Sequence, residues 1–374
     1  MNIGIFTWFN DDRNCGQTLQ AYALERVLEK EYSAKVVLIN YKYLYLKQLY
    51  KNQIMFNARS IHINIQKRTL LRQFVFDWFV LRKMNSSKLL FSKKDVEKFL
   101  KKNNIKNLML GSDQLWNPET GEIPDVMLFK LDCENLHKFS YSPSMCTEKS
   151  KEKYTVEIKK IAQSIEDFDF IGVRESSAKR ILKEYQIEKE IFVLLDPVFL
   201  LSDIDWISDL NIKSAEEEYI LIYCLGMITE EMFQYIEKIQ QEKKCERIYY
   251  ICTDEKYDVP SKWSKIRNVG PRKFVELIYN ATYVLGDSFH MVCFSVVFRK
   301  NFICFKGKRQ TFIPNADRII DLLESVGLEN RLVDNDNVHL DINYCHEIEN
   351  KIIGRINYSK QKLGEMIEIM KKYE

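Results

Sequence analysis

Short apolar runs alternate with stretches of helical periodicity along most of the chain. In the first half the runs include NIGIF, KVVLINY, NLML and FIGV, and in the second half YILIYCLG, RIYYI, YVLG and NFICF. Helical patterns such as QTLQAYALERVLEK and PRKFVELIYNA lie between them. Because β-rich runs that alternate with helices form parallel sheets covered by helices, the pattern predicts an α/β fold.

The alternation occurs twice, and a chain of 374 residues suits two domains of about 150–200 residues each. We predict two Rossmann-like parallel-sheet domains that face a central cleft. The N-terminal domain is expected over residues 1–205, with a basic helical insertion at about 42–105. The second domain is expected over 216–345, and residues 346–374 are expected to form a C-terminal helix.

Composition excludes several classes of protein. The chain is 46% hydrophobic and 29% charged, which is ordinary for a soluble globular protein. The N-terminus has neither the basic region nor the cleavage site of a signal peptide, so a cytoplasmic location is expected. The nine cysteines form no C-x-x-C pair, and no Cys/His group has the spacing of metal ligands. We therefore expect free thiols and no metal site.

Charge is unevenly distributed along the sequence. Residues 41–103 contain 15 Lys and Arg against 3 Asp and Glu, although the net charge of the whole chain is +3. The same segment is rich in Tyr, Phe and Trp. It is either a solvated helical insertion or a surface for an anionic partner, such as membrane headgroups or a phosphorylated carrier. No recognition motif accompanies the charge, so nucleic acid is not expected as a partner.

Polar residues recur where the predicted strands end, which is the edge at which α/β folds bind ligands. Each of them could instead be a helix cap or a turn residue. The candidates are Asn14, Gly16, Gly111, Ser112, Asp113, Arg174, Asp196, Asp287, Ser288 and His290.

Two candidates carry distinct chemistry. Arg174 follows FIGV directly, and its planar donors suit a carboxylate or phosphate; alternatively it pairs with Glu175 or another acid. His290 begins a helix after YVLGDS and could transfer a proton near neutral pH, with Asp287 as a neighbouring carboxylate, or it could merely fill a polar gap. Gly16 opens a helix whose amides could hold an anion.

As a set, these residues lie in stretches that resemble the polysaccharide pyruvyl transferase family. The matching stretches extend from Gly4 to Val333 and leave out the basic insertion and the C-terminal tail. They include GIFTWFNDDRNCGQTLQAYAL, LMLGSDQLWNP, KFSYSPS, FIGVRESSAKRIL, GPRKFVELIYNATYVLGDSFH and ADRIIDLLESVGLENRLV.

The resemblance implies a GT-B-like arrangement and an enzyme without a cofactor that uses phosphoenolpyruvate as donor. It implies transfer of the enolpyruvyl carbons to two hydroxyls of a sugar residue, which gives a cyclic pyruvate ketal. It also implies that Arg174 binds phosphoenolpyruvate and that His290 is the acid. Asp113 is our choice for the group that accepts the hydroxyl proton.

The chain departs from the family at two positions. Ser288 stands where well-characterised members carry an arginine, so a second cation for the donor must come from Arg309, Arg318, Lys306 or Lys308. Cys15 stands in the first motif where tyrosine is usual.

The resemblance places the protein in bacterial exopolysaccharide or capsule biosynthesis. The expected partners are phosphoenolpyruvate and a sugar or oligosaccharide acceptor that is free or lipid-linked. We also expect peripheral contact with the inner membrane face through residues 42–102. The alternatives are a GT-B-type glycosyltransferase that uses a nucleotide sugar and a non-catalytic glycan-binding relative.

Overall fold

The computed structural model describes residues 1–9, 14–41, 67–251, 259–305, 316–333 and 338–373, without the side chains of 67–70 and 316. The chain forms two compact units. The first consists of Met1–Asp12, Gln17–Val193 and Lys362–Glu374, and the second consists of Arg13–Gly16 and Leu194–Gln361. From the sequence, the first domain was expected to end at residue 205. The sequence did not indicate that the C-terminal segment belongs to the first unit, or that residues 13–16 belong to the second.

The first unit contains eight of the described strands and five helices that lie wholly or mainly within it. The strands are β1 (Asn2–Phe6), β2 (Lys35–Leu38), β3 (Asn107–Leu110), β4 (Asp113–Trp116), β5 (His137–Ser140), β6 (Pro143–Met145), β7 (Phe170–Val173) and β8 (Ile191–Val193). The helices are α1 (Cys15–Tyr32), α2 (Lys67–Lys83), α3 (Lys93–Lys102), α4 (Thr155–Ile165) and α5 (Ser176–Glu184).

Six of these strands form one parallel sheet in the order β2-β1-β3-β5-β7-β8. The winding reverses between the neighbours β1 and β3. The strands are short and largely buried, and their apolar side chains pack with those of the flanking helices, for example Leu108, Ile161 and Ile181. β4 and β6 form a separate two-stranded parallel pair that continues beyond β3 and β5.

The second unit repeats this construction. Its strands are β9 (Ile220–Tyr223), β10 (Ile248–Ile251), β11 (Ser264–Ile266), β12 (Tyr283–Gly286), β13 (Asn301–Phe305) and β14 (Leu332–Val333). Its helices are α6 (Asp203–Leu210), α7 (Glu230–Lys243), α8 (Pro271–Asn280), α9 (Phe289–Val297) and α10 (Ala316–Val326). The last helix, α11 (His346–Lys371), begins in the second unit and ends in the first.

The second sheet is also parallel throughout, in the order β11-β10-β9-β12-β13-β14, and its winding reverses between β9 and β12. These two strands approach so closely that a Cβ on Gly286 would lie 1.9 Å from the carbonyl oxygen of Tyr223. α9 is buried along its whole length, which explains why the sequence from Phe289 to Val297 is apolar all round.

Part of the basic insertion is described, and that part contains two helices. α2 and α3 lie in it, whereas residues 42–66 are outside the described residues. α2 buries Phe76, Phe79 and Val80 and leaves four other apolar side chains at least 49% exposed: Leu71, Phe74, Trp78 and Leu81. None of the described helices is both long enough and apolar enough to cross a bilayer.

The predicted fold class is confirmed, since both large sheets are parallel and alternate with helices along the chain. The sequence does not anticipate the β4–β6 pair. It also assigns residues 196–218 to a connection, where the structure has α6 and a short 3₁₀ helix, Pro197–Leu200.

Candidate functional site

The carboxyl edge of the first sheet collects polar groups at the point where the winding reverses. β1 ends before Thr7, and β3 ends before Gly111 and Ser112. The Thr7 hydroxyl donates a 2.8 Å hydrogen bond to the Ser112 carbonyl, and the Gly111 amide donates one of 2.8 Å to the Phe6 carbonyl. This is the place where open α/β sheets bind ligands.

Asp113 has an unusual conformation and environment. Its φ is +82°, in the left-handed region that non-glycine residues seldom adopt. The side chain is buried, and within the described part of the chain its Oδ2 has no hydrogen-bond partner. Backbone strain and an unsatisfied buried oxygen together are typical of a functional position.

A third strand end lies beside Asp113. Ser142 follows β5, has a φ of +51° and is fully buried. The next residue, Pro143, pairs with Asp113 across β4 and β6, and its carbonyl accepts the Arg174 amide at 3.1 Å. Asp113, Ser142 and Arg174 therefore belong to one local cluster of the first unit.

Arg174 lies at the end of β7, as the sequence predicts, but its side chain is buried. Its Nε lies 3.3 Å from Oε1 of Glu175, so the ion pair that the sequence left open is present. The Ser144 hydroxyl donates to the same carboxylate oxygen. A guanidinium has five N–H donors in a planar fork, a geometry that suits a carboxylate or phosphate.

His290 is the central side chain of the second unit's cluster. It occupies the first turn of α9, is buried, and its ring lies directly against Gly16 at the start of α1. A Cβ on Gly16 would be 2.1 Å from the ring Nδ1 and 2.7 Å from the Cβ of His290, so a methyl at this position would have to displace the imidazole. Glycine is therefore required at position 16 by close approach of the imidazole.

The carboxylate beside His290 is Asp196. Its Oδ2 lies 3.5 Å from Nε2 of His290, and both side chains are buried. The other oxygen, Oδ1, accepts the Val198 amide at 3.1 Å and so caps the short helix Pro197–Leu200. A backbone contact thus orients the carboxylate, and the carboxylate faces the imidazole, although Nε2 makes no hydrogen bond within the described residues.

Asp287, which the sequence suggests as the neighbour of His290, makes other contacts. Its two carboxylate oxygens accept the amides of Leu225 and Gly226 at 2.6 and 2.9 Å. These bonds join the ends of β9 and β12, where the winding of the second sheet reverses. Burial and the Asp287 charge raise the pKa of the neighbouring thiols Cys224 and Cys304 well above the ordinary value.

The remaining predicted residues are distributed as follows. Ser288 is the buried N-cap residue of α9, and Asn14 lies just before α1. Arg318, from α10, places its guanidinium 5.9 Å from the ring centre of Phe289, next to His290 in sequence. Arg309, Lys306 and Lys308 lie outside the described residues.

Two features of these clusters were missed from the sequence. Asp196 was recognised as a polar strand-end residue but not as the partner of His290, and Ser142 was not singled out. The signal for Ser142 is a serine directly after the apolar end of KFSYS. Among the described residues, no group of three or more His, Cys, Asp and Glu side chains is placed to hold a metal ion.

One known family matches this chain by sequence. The sequence model named polysaccharide pyruvyl transferase matches residues 14–308, which is most of the chain and includes both clusters. The chain belongs to the polysaccharide pyruvyl transferase family. The resemblance seen in the sequence motifs is thus confirmed, and a transferase activity follows from membership.

Solved structures show the fold of this transferase. A UDP-GlcNAc 2-epimerase from Neisseria meningitidis, bound to UDP-GlcNAc, is 10% identical, with a TM-score of 0.52 over 100% of this chain and 93% of the other. A Listeria monocytogenes protein provisionally described as a UDP-N-acetylglucosamine 2-epimerase is 10% identical, with a TM-score of 0.50 over 97% and 89%. At this identity the likeness establishes a GT-B-like fold alone. No curated protein sequence matches the chain.

Proposed function

We propose that this transferase moves the enolpyruvyl group of phosphoenolpyruvate onto a sugar residue of a cell-surface polysaccharide or its precursor. The product is a cyclic pyruvate ketal and inorganic phosphate. The observation that carries the proposal is the buried pair of His290 and Asp196, with the imidazole seated on Gly16.

This pair suits the first chemical step. Protonation of C3 of phosphoenolpyruvate makes C2 electrophilic, and a positioned acid contributes about 10²–10⁴-fold to such a step. The Asp196 carboxylate lies 3.5 Å from Nε2 and bounds the position of the ring by contact. Asp196 is a positioning residue, whereas His290 delivers the proton.

The donor carries a carboxylate and a phosphate, so it needs cations. Arg174 is the first, with its guanidinium anchored through Nε by Glu175. Arg318 supplies the second charge in place of the arginine that Ser288 replaces, because it lies against Phe289 in the second unit. A planar guanidinium binds two oxygens at once, which suits either group of the donor.

Asp113 is the proposed acceptor for the sugar hydroxyl proton. Its buried oxygen without a partner and its strained backbone indicate a group held ready for a ligand. An ionised carboxylate accepts hydrogen bonds and donates none, which suits the role of acceptor for the sugar hydroxyl.

The reaction balances as follows. A proton adds to C3, the first hydroxyl oxygen bonds to C2, and the C2–O bond to phosphate breaks. The second hydroxyl oxygen then bonds to C2 and closes the ring. One of the two hydroxyl protons replaces the proton given to C3, and the other leaves on the phosphate.

The test is incubation with phosphoenolpyruvate and a glycan panel, with release of phosphate and the product mass as readouts. Ketal formation adds C₃H₂O₂ to the acceptor, whereas a glycosyltransferase would add a whole sugar residue from a nucleotide sugar. We expect His290→Gln to lower kcat by at least about 10²-fold and Asp196→Asn to lower it by less.

The matched control is another His–Asp pair within the described part of the chain. His137 Nδ1 lies 3.8 Å from Asp169 Oδ2, at a partly exposed position. His137→Gln should leave kcat unchanged. Near-normal phosphate release by His290→Gln would refute the assignment, and glycan binding without turnover in the unaltered protein would indicate a non-catalytic relative.

A further inference from the structure

A cavity of about 230 Å³ in the first unit is lined by Thr7, whose hydroxyl donates to the Ser112 carbonyl. Thr7, Trp8 and Phe9 form one wall, and Gln114, the residue after Asp113, forms part of another. At about 30 Å³ per water molecule, the space would hold an organic group of several heavy atoms. None of the proposed steps so far uses it.

The side chains that reach this cavity are of a distinctive kind. Thr7, Phe9 and Leu115 are buried in the wall, whereas the indole of Trp8 and three carboxamides stay partly exposed. The carboxamides are Gln17, Asn40 and Gln114. Each of them has both a donor and an acceptor, and so does every sugar hydroxyl. The indole offers a flat apolar face for the C–H side of a sugar ring.

Charge decides between ligand classes. The described lining includes no Lys, Arg or His, and Glu122 contributes a negative charge. Among the described lining residues, a phosphorylated donor or a nucleotide would meet the negative charge of Glu122 and no cation. The cavity suits an uncharged polyhydroxyl compound.

Hydrogen bonds from residues of α1 fix the wall formed by Thr7, Trp8 and Phe9. The Gln20 amide nitrogen donates to Thr7 Oγ1 at 2.8 Å, to the Trp8 carbonyl at 3.1 Å and to the Gln17 carbonyl at 2.9 Å. Thr18 donates to the Phe9 carbonyl at 2.9 Å. α1 therefore holds the Thr7–Phe9 segment in place, which is the support that a preorganised binding site needs.

A second cavity, of about 670 Å³, adjoins the first, since Tyr41 and residues 121–124 line both. Its lining adds the partly exposed ring of Phe91, together with Lys93 and Lys160 and the acids Asp125 and Glu157. With Glu122, which lines both cavities, the described lining carries two basic and three acidic side chains, and Lys93 is already paired with Asp132 at 3.0 Å.

We propose that the two adjoining cavities bind the acceptor as an oligosaccharide, with the residue to be modified beside Trp8 and its neighbours beside Phe91. The inference rests on the proposed function, because that function makes the glycan the acceptor. Binding of the glycan does not require phosphoenolpyruvate. It predicts that the enzyme recognises several linked sugars and not one.

The experiment has a binding arm and a kinetic arm. Calorimetric titration without phosphoenolpyruvate uses methyl hexosides and the corresponding neutral di- and tetrasaccharides as probes. Kinetics then compare KM for the acceptor with KM for phosphoenolpyruvate. We expect Trp8→Ala to weaken every glycan by roughly ten-fold or more and to leave KM for phosphoenolpyruvate unchanged. Phe91→Ala should weaken the tetrasaccharide and spare the methyl hexoside.

Trp78→Ala is the matched control, because Trp78 is half exposed on α2 and lines neither cavity. Gln114→Leu, which removes a carboxamide without opening the core, replaces Trp8→Ala should the latter not fold. Unchanged glycan affinity in Trp8→Ala or Gln114→Leu overturns the proposal, as does tighter binding of a UDP-sugar than of any glycan. Glycan binding that depends on Trp8, without ketal formation, would instead refute the proposed function and leave this inference standing.

Discussion

At the scale of single residues, position 16 requires glycine because a neighbouring side chain leaves no space for a Cβ, and not because of its backbone conformation. The His290 ring occupies the space of a side chain at this position, with Nδ1 only 2.1 Å from where a Cβ would lie. Gly16→Ala must therefore displace the imidazole from Asp196. We expect kcat to fall by at least about ten-fold, with little change in KM for either substrate, because the proton donor moves and the binding groups do not.

Gly354→Ala is the control for this substitution. Gly354 lies within α11, and a Cβ there would meet nothing within 4 Å. This change should leave activity intact and stabilise the helix by up to about 1 kcal/mol. Equal activity of the Gly16→Ala and Gly354→Ala variants would show that the imidazole does not need its place against Gly16.

Glu25 gives a residue-scale prediction about pH. It is buried on α1, and its Oε1 accepts the Asn85 amide at 2.6 Å. Burial raises the pKa of Glu25 from 4.5 to about 8. The folded state thus binds a proton that the unfolded state releases, so the associated stability is full below about pH 4.5 and is lost as pH rises through about 8.

Within that window each pH unit costs up to about 1.4 kcal/mol of unfolding free energy. Glu25→Gln removes the titration and keeps the acceptor for Asn85. The variant should lose less stability than the original between about pH 5 and 8 in urea unfolding. Parallel pH curves for the two proteins would mean that Glu25 is ionised in the folded state.

The sequence could predict which residues stand at strand ends, but not which of them touch. His290 and Arg174 are recognisable because a charged or titratable group directly follows or closely trails an apolar run. The contact between His290 and Asp196 depends on how α9 packs against the Pro197–Leu200 turn, and local pattern contains no information about that packing. Proximity in sequence favoured Asp287 as the partner of His290, but the Asp287 oxygens accept the amides of Leu225 and Gly226 instead.

At the scale of elements, the alternation of apolar runs and helical patterns predicted most strands of both sheets. β1, β3, β7, β9, β12 and β13 all correspond to apolar runs of the sequence. β4 and β6 escaped because DQLW and PSM have no apolar run of strand length. Their pairing is set by β3 and β5, which direct the following residues alongside each other. This unrecognised pair brings Asp113 close to Arg174 through Pro143.

Arg174, which directly follows β7, can be tested by substitution. If its guanidinium binds the donor through two oxygens, Arg174→Lys should raise KM for phosphoenolpyruvate nearly as much as Arg174→Ala, because a lysine keeps the charge and loses the fork. Lysine can still pair with Glu175, so thermal stability should be better retained than in the alanine variant. Steady-state kinetics and thermal unfolding measure the two effects separately.

Arg180→Lys is the matched control for Arg174. Arg180 lies on α5 and pairs with Glu148 at 3.0 Å, but it is exposed to solvent. It should change neither kinetics nor stability appreciably, since exposed pairs contribute about 0–1 kcal/mol. Activity restored by lysine at position 174 would make Arg174 a partner of Glu175 and nothing more.

At the scale of the whole molecule, positive charge and exposed apolar surface coincide in the basic insertion. Leu71, Phe74, Trp78 and Leu81 follow one another at intervals of three and four residues, so they form a stripe along one face of α2. The residues from 41 to 103 carry an excess of 12 basic over acidic side chains. A stripe of this kind beside basic residues is typical of helices that lie in a membrane interface.

We therefore predict peripheral association with an anionic membrane, where a lipid-linked acceptor would be found. Each basic residue near such a surface contributes roughly 1 kcal/mol within a Debye length of about 8–10 Å, so binding should weaken with salt. Co-sedimentation with vesicles of phosphatidylcholine and phosphatidylserine at low and high salt measures it.

Phe74→Ala with Leu81→Ala should reduce binding, and so should Lys88, Lys94 and Lys98 changed to Gln. Ile204→Ala, which alters an exposed side chain on α6, should not. Absence of binding at low salt would mean that the segment is an ordinary solvated insertion, and a shift to dimers in sedimentation velocity would assign the stripe to a second copy of the chain.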